Sequence, residues 1–501
     1  MNTAYVDVLA RTREHAVILS CSAVLGWDQQ TYMPRGGSAI RGDQLALLAS
    51  LAHGRATDPR LGELLAECEA NVSAIDDEFA AANLRELRHS YERAVKLPKR
   101  LVEELAKVTS DAHEAWAEAR KRDDFAAFLP HLQRIVELKR EEAAAVGYRG
   151  EAYDALLDEY EPGTTAAGVA TLFADLTAEL SPLIRAAIGT GKRPKPGVLE
   201  RDYPVERQRW FAEGAAAAIG FDFAKGRLDV AAHPFCSGVG PGDCRLTTRY
   251  NPRFFNEAFF GVLHEAGHGL YEQNLPADRF GQPAGQYCSL GVHESQSRLW
   301  ENQVGRSADY WHAYFPRLRQ AFPGTLCDVK PDDFLFAICE VKPSLIRVEA
   351  DEATYNLHVA LRFEVERALI SGDLAVPDLP AAWGDRFAAL LGLTVPNDRD
   401  GCLQDIHWSF GGFGYFPTYT LGNLYAAQLM DAAAVALPNL EGDTRRGDFA
   451  GLSGWLKANI HVHGRRYRAG ELCGRATGKP LDAAAFLAYL RGKLSRFYGV
   501  C

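Results

Sequence analysis

Two histidines spaced four apart around a glutamate, His264, Glu265 and His268, carry the sharpest chemical signal in the sequence. They sit in an apolar run, residues 259–271, whose composition predicts helix. At about 3.6 residues per turn, His264 and His268 fall one turn apart on one face, where two imidazoles can hold one divalent cation. Glu265 is rotated by about 100° from His264, so its carboxylate can reach a water at the metal rather than the metal itself. Such an H-E-x-x-H helix implies a metal-dependent peptidase; two satisfied core histidines are the bland alternative.

A catalytic zinc keeps three protein ligands and one open position. In metzincins the third ligand is a His six residues past the second, reached through a Gly turn. Here the corresponding positions are Tyr271 and Asn274, which excludes that class. A carboxylate on a later helix remains. Glu294, 26 residues beyond His268 and past breakers at Pro276, Gly281 and Gly285, is one candidate among 65 acidic residues. Zinc is the usual occupant of such a set, and Co2+ or Mn2+ can also be held by it.

The elements that must position these groups read as mostly helical. Residues 1–190 are rich in Ala, Leu, Glu and Arg, with apolar residues at three- and four-residue spacing, as in Leu84, Leu87, Tyr91, Ala94 and in Phe128, Leu132, Ile135, Leu138. Residues 24–37 break that pattern and end in a turn; they and the polar-aromatic stretch 153–163 either line a cleft or are buried structure. Residues 189–197 form a loop rich in breakers, within one domain or at a hinge between subdomains. Two short strands, at 227–230 and 245–250, precede the metal helix, where an edge strand could hold an extended peptide. From 294 onward the chain returns to helix, with a loop-rich aromatic segment at 401–423.

The 501 residues, 47% apolar, are ample for a large core. A net charge of −10 argues against a nucleic-acid partner, which wants a basic surface. Ten scattered cysteines without a C-x-x-C pair suggest reduced thiols, hence a cytoplasmic setting. The apolar stretch before Cys21 is too short for a signal peptide, and no run reaches the about 18 apolar residues of a membrane span.

Further motifs accompany the metal helix: His293-Glu294-Ser295-Gln296-Ser297-Arg298, Ile346-Arg347-Val348-Glu349-Ala350-Asp351, Gly401-Cys402-Leu403-Gln404-Asp405-Ile406-His407-Trp408, His233-Pro234-Phe235 and Asp243-Cys244-Arg245-Leu246-Thr247. Together they resemble the M32 family of metallocarboxypeptidases, of the thermostable carboxypeptidase type, in order from about residue 24 to 467. The resemblance implies a mainly α fold like that of neurolysin and angiotensin-converting enzyme. In it, a single catalytic domain, residues 1–501, has two helical halves around a deep groove and a small β element before the metal helix. It also implies a homodimer, Glu294 as third ligand, and closure of one groove end by the segments at His233 and Asp243.

The expected reaction is hydrolysis of the C-terminal peptide bond, releasing single amino acids with broad specificity, but not acidic or C-terminal Pro residues. Glu265 would be general base and then acid. Related folds place a His and a Tyr as oxyanion donors, which points to His407 with Tyr419 or Tyr415; aromatic packing is the alternative for either tyrosine. A guanidinium suits the substrate's free carboxylate, with Arg347 the first choice and Arg245 the second. Either could instead be structural, Arg347 beside Glu349 and Asp351, and Arg245 beside Asp243. His358, His461 and His463 are read as buried or supporting rather than metal-binding. Two rivals remain: an oligoendopeptidase of the same fold class, and a catalytically idle, zinc-containing peptide-binding scaffold.

Overall fold

The computed structural model describes residues 2–500 and is mainly helical, with one three-stranded sheet. The chain forms two units, each assembled from separated stretches: Met1–Val95, Pro194–Ile338 and Tyr425–Leu481 make the first, and Lys96–Arg193, Cys339–Leu424 and Asp482–Cys501 the second. One boundary falls at Arg193 and Pro194, inside the breaker-rich loop at 189–197.

Helices fill the first 190 residues, from Thr3–Thr31 to Ala166–Gly189, as the periodicity predicts. The stretch 24–37 differs from expectation, because the first helix continues through Gly26 to Thr31 before a 3-10 turn at Arg35–Gly37. One glycine costs a helix only about 1 kcal/mol, and the true breaker, Pro34, lies beyond the helix end. Ala166–Gly189 is long and apolar enough to cross a membrane by length and composition. Its Val169, Phe173, Leu176, Leu180 and Ile184 are buried within the second unit, where Phe173 meets Phe363 edge-on at 5.3 Å. No disulfide joins the nine cysteines among the described residues; Cys501 lies outside them.

Three strands, not two, precede the metal helix: β1 (Gly226–Val230), β2 (Cys236–Gly240) and β3 (Asp243–Thr248). β2 reads as a turn because its Cys-Ser-Gly-Val-Gly sequence has little strand propensity, and pairing with β3 makes it a strand. Arg249 and Tyr250, expected in the second strand, lie past its end. The order is β1-β3-β2, with β1 parallel and β2 antiparallel to β3 and a register shift between Gly238 and Gly240.

The metal helix, Phe255–Asn274, is the centre of the first unit, with twelve of its twenty residues buried, more than one apolar face would need. Phe255 and Phe259 stack at 5.1 Å, and both pack against Trp311, at 6.3 and 5.4 Å. Each such side chain contributes about 1.5–3 kcal/mol on burial. In the second unit the equivalent core element is Tyr355–Ser371, with thirteen of seventeen residues buried. The segment expected to be loop-rich across 401–423 is irregular only to Phe416, since a helix, Pro417–Ala436, starts on a proline suited to a first helical position.

One backbone contact decides how close the metal helix lies to the following helix, Leu290–Arg298. A Cβ on Gly267 would stand 2.5 Å from the Gln296 carbonyl oxygen and 2.6 Å from the Ser297 Cα. These are backbone atoms that cannot rotate away. Gly267→Ala is therefore expected to destabilise the metal-free protein by about 1–3 kcal/mol, measured as a lowered urea midpoint. Wild-type stability in this variant would show that the crossing has slack.

Candidate functional site

Close helix crossing brings the predicted ligands together. Glu294 Oε2 lies 3.7 Å from His264 Nε2 and 3.4 Å from His268 Nε2, and the three atoms fall within 4.8 Å of one another. Donors about 2.0–2.2 Å from a tetrahedral ion are spaced by roughly 3.3 Å, so the set fits a zinc-sized cation. Ser289 caps the second helix, its Oγ accepting from the Val292 amide at 3.2 Å, and thereby places Glu294 in the early turns. That helix then widens into a π segment, Leu299–Val304, which carries Glu301.

Outward-facing ring nitrogens are also engaged. His264 Nδ1 is 2.9 Å from Glu301 Oε2. His268 Nδ1 is 2.5 Å from His293 Nδ1, and His293 Nε2 is 2.9 Å from Glu272 Oε1. Arg298 braces two carboxylates, donating from Nε to Glu294 at 2.7 Å and from Nη1 to Glu301 at 3.0 Å. Burial pushes His268 down to about 3, leaving it neutral. Burial also opposes protonation of His264, but Glu294 and Glu301 reverse the balance and raise it. Burial would raise Glu294 too, yet Arg298 and His264 hold it well below the usual carboxylate range. Glu265, 6% exposed, is pushed up by burial to about 7.

The H-P-F and D-x-R-x-T motifs bind each other in the first unit. Thr247 Oγ1 accepts from the Phe235 amide at 2.8 Å, and the Thr247 amide donates to the Phe235 carbonyl at 2.9 Å. The same hydroxyl donates to the His233 carbonyl at 3.4 Å. Arg245 is committed to Asp243 by two bonds of 2.8 and 2.7 Å, as its sequence neighbour suggests, and its guanidinium lies over Trp27 at 4.2 Å.

Residues expected at the oxyanion and the carboxylate cluster in the second unit. His407 Nε2 is 3.2 Å from the Tyr419 hydroxyl, and the Tyr415 ring lies 5.2 Å from the His407 ring. Burial, with Arg347 next, lowers His407 to about 3, so the ring is neutral. Arg347 takes Asp405 as partner, not Glu349 or Asp351: Nε and Nη2 donate to Asp405 Oδ1 at 3.0 and 2.8 Å, and Nη1 to the Tyr355 hydroxyl at 2.9 Å. Asp351 instead accepts from the Ala353 and Thr354 amides ahead of the Tyr355–Ser371 helix. Arg362, fully buried, donates from Nε to Asp405 Oδ2 at 2.6 Å. Two guanidiniums thus share one carboxylate, and the trio keeps a net positive charge.

His358 and His461 are buried, His461 between Gln296 and Asn274, and neither they nor His463 joins the metal trio. The sequence reading gave no role to Glu301, His293, Glu272, Asp405 or Tyr355. Glu272 had a usable signal: it follows His268 by four residues, on the same helix face as both imidazoles. Asp405 lies in one of the quoted motifs, but nothing in the sequence ties it to Arg347, 58 residues away.

Glu366 shows what burial costs in this second cluster. It accepts from the Tyr153 hydroxyl at 2.6 Å, the Trp408 indole at 2.8 Å and the Gly414 amide at 3.1 Å. Burial nevertheless outweighs these donors and pushes it up to about 7. A carboxyl raised in the folded state stabilises fully below its unfolded value of about 4.5 and loses that contribution as pH rises through 7. Between those limits the wild type should lose about 3 kcal/mol relative to Glu366→Gln in urea unfolding. Parallel pH profiles for the two proteins would refute this.

A family model described as carboxypeptidase Taq (M32) metallopeptidase matches residues 7–494. The chain is 49% identical to thermostable carboxypeptidase 1 of Thermus thermophilus over 99% of both chains, and 36% identical to carboxypeptidase 1 of Bacillus subtilis over 99% of this chain and 98% of that one. A solved structure of an M32 carboxypeptidase from Deinococcus radiodurans R1 superposes with a TM-score of 0.96 at 43% identity, covering 100% of each chain.

Proposed function

The chain belongs to the carboxypeptidase Taq (M32) metallopeptidase family and is a metallocarboxypeptidase, and from that premise we propose that it removes single residues from peptides with a free C-terminus. The observation that carries the reading is the trio of half-buried His264 and His268 with buried Glu294, and Glu265 on the helix of the two histidines. Those three side chains would hold a divalent cation, zinc by preference and Co2+ or Mn2+ as alternatives. When bound, such an ion supplies Lewis acidity toward water and a peptide carbonyl. Glu265 takes the attacking water's proton on its carboxylate and later gives it to the departing amine. We assign oxyanion stabilisation to the neutral His407 and to Tyr419, with Tyr415 packed beside the imidazole.

Arg347 is the proposed anchor for the substrate carboxylate. The net positive charge of Arg347, Arg362 and Asp405 supports that assignment, whereas Arg245 is already matched by Asp243. The mutual bonding of the His233 and Asp243 motifs suits a rigid stop beyond the cut. Broad specificity, a homodimer and a cytoplasmic setting complete the proposal; cysteines not joined by disulfides suit a reducing compartment. The two rivals, an internal-cutting peptidase and an idle scaffold, are not favoured by relatives that all carry carboxypeptidase names.

Digestion of a synthetic peptide, free or amidated at its C-terminus and followed by mass spectrometry, tests the function. The expected result is a one-residue ladder from the free end alone, abolished by chelator, restored by Zn2+ or Co2+, and absent from a Glu265→Gln protein that still binds zinc. Internal cuts in both peptides would establish the endopeptidase instead. Arg347→Ala should raise KM for free C-termini at least tenfold, as expected for a lost charge-assisted bond of about 1.5–3 kcal/mol, with little effect on the inhibition constant of amidated peptides added as competitors. Equal effects on both would remove Arg347 from the role.

A further inference from the structure

The two metal-facing imidazoles are backed differently. His264 Nδ1 meets the Glu301 carboxylate directly, whereas His268 Nδ1 meets a second imidazole, which in turn meets a carboxylate. We propose that His293 and Glu272 are positioning residues that hold His268 in its metal-binding tautomer, and that Gly238 on β2 sets the place of Glu272. The proposal rests on the metal-centre reading above.

Proton direction along this chain of groups follows from its two ends. To offer a lone pair from Nε2, His268 must carry its proton on Nδ1. That proton is donated to His293 Nδ1, which must then be bare, so the His293 proton sits on Nε2. Nε2 donates to Glu272 Oε1, 2.9 Å away. Reversing the order would put a proton on His268 Nε2, facing the ligand position of Glu294. Tyr287 packs edge-on to the His293 ring at 4.7 Å, so the bridging ring is walled as well as bonded.

Glu272 is fixed by the strand beside it. A Cβ on Gly238 would stand 2.3 Å from Glu272 Oε2 and 2.5 Å from its Cδ. Gly238 is paired with Cys244 of the central strand, so the backbone is held and the carboxylate is the group that must move. An exposed glycine on an edge strand therefore decides where the last acceptor of the chain can lie.

Zinc affinity, read at one pH by competition with a chromogenic chelator on the full chain, tests this alongside thermal unfolding of the metal-stripped protein. His293→Phe keeps a ring but removes both nitrogens, and is expected to weaken zinc binding by about 10–100-fold, the usual range for outer partners of a ligating His. Glu272→Ala and Gly238→Ala should each weaken it by at least threefold. Combining them should give no loss beyond Glu272→Ala alone, because Gly238→Ala acts through that carboxylate. Unfolding temperatures of the stripped proteins should stay at the wild-type value.

Affinities within twofold of wild type in both His293→Phe and Glu272→Ala overturn the proposal, as do fully additive losses in the double variant. If His293→Phe fails to fold, the Gly238 and Glu272 cycle decides alone. Zinc binding that survives His268→Ala, or none in the wild type, would instead overturn the metal-centre reading and the proposal with it.

Discussion

Everything in the first unit depends on the contact at Gly267, where the backbone of the metal helix meets that of Gln296 and Ser297 with no room for a side chain. Glycine inside a helix costs about 1 kcal/mol relative to alanine, and close packing of the two backbones offsets it. Without that approach, Glu294 could not lie within 3.7 Å of both imidazole Nε2 atoms. The aromatic packing of Phe255, Phe259 and Trp311 holds the same helix from within the first unit, so the ligand spacing is set by packed elements rather than by a loop.

Electrostatics carries the second constraint. Buried carboxylates survive only when paired, and one guanidinium, Arg298, serves both Glu294 and Glu301. Sharing keeps the Glu294 carboxylate ionised while leaving its Oε2 directed at the histidines. In the second unit the sharing is reversed: one carboxylate, Asp405, serves Arg347 and Arg362, and the excess charge there is positive. Buried charge in these two clusters is thus of opposite sign.

What the sequence reveals follows the range of the interaction. His264, Glu265 and His268 are legible because their geometry is that of one helical turn. Glu294 was one candidate by spacing and was singled out through the family resemblance, since a crossing of two helices leaves no local pattern. The helical segments follow from periodicity, while β2 escaped because its two glycines oppose the strand that pairing imposes. Arg347 was recognisable as a chemically useful residue, yet its partner lies 58 positions away rather than among the nearby acids. Glu272 could have been found from its four-residue step beyond His268, but the imidazole between them could not.

The interleaving of the two units along the chain bears on synthesis. The first unit begins with Met1–Val95 yet needs Tyr425–Leu481 to be complete. At about 5–20 residues per second, a ribosome takes on the order of tens of seconds to span that gap. Throughout it, Tyr5, Val8, Leu64 and Leu65 have each other to bury against, but Asn274 and Gln296 still lack His461. The stretch that bears His264, His268 and Glu294, Pro194–Ile338, is therefore translated in full before its own surroundings exist, and a nascent polypeptide truncated anywhere between 294 and 481 carries those side chains on an unfinished body.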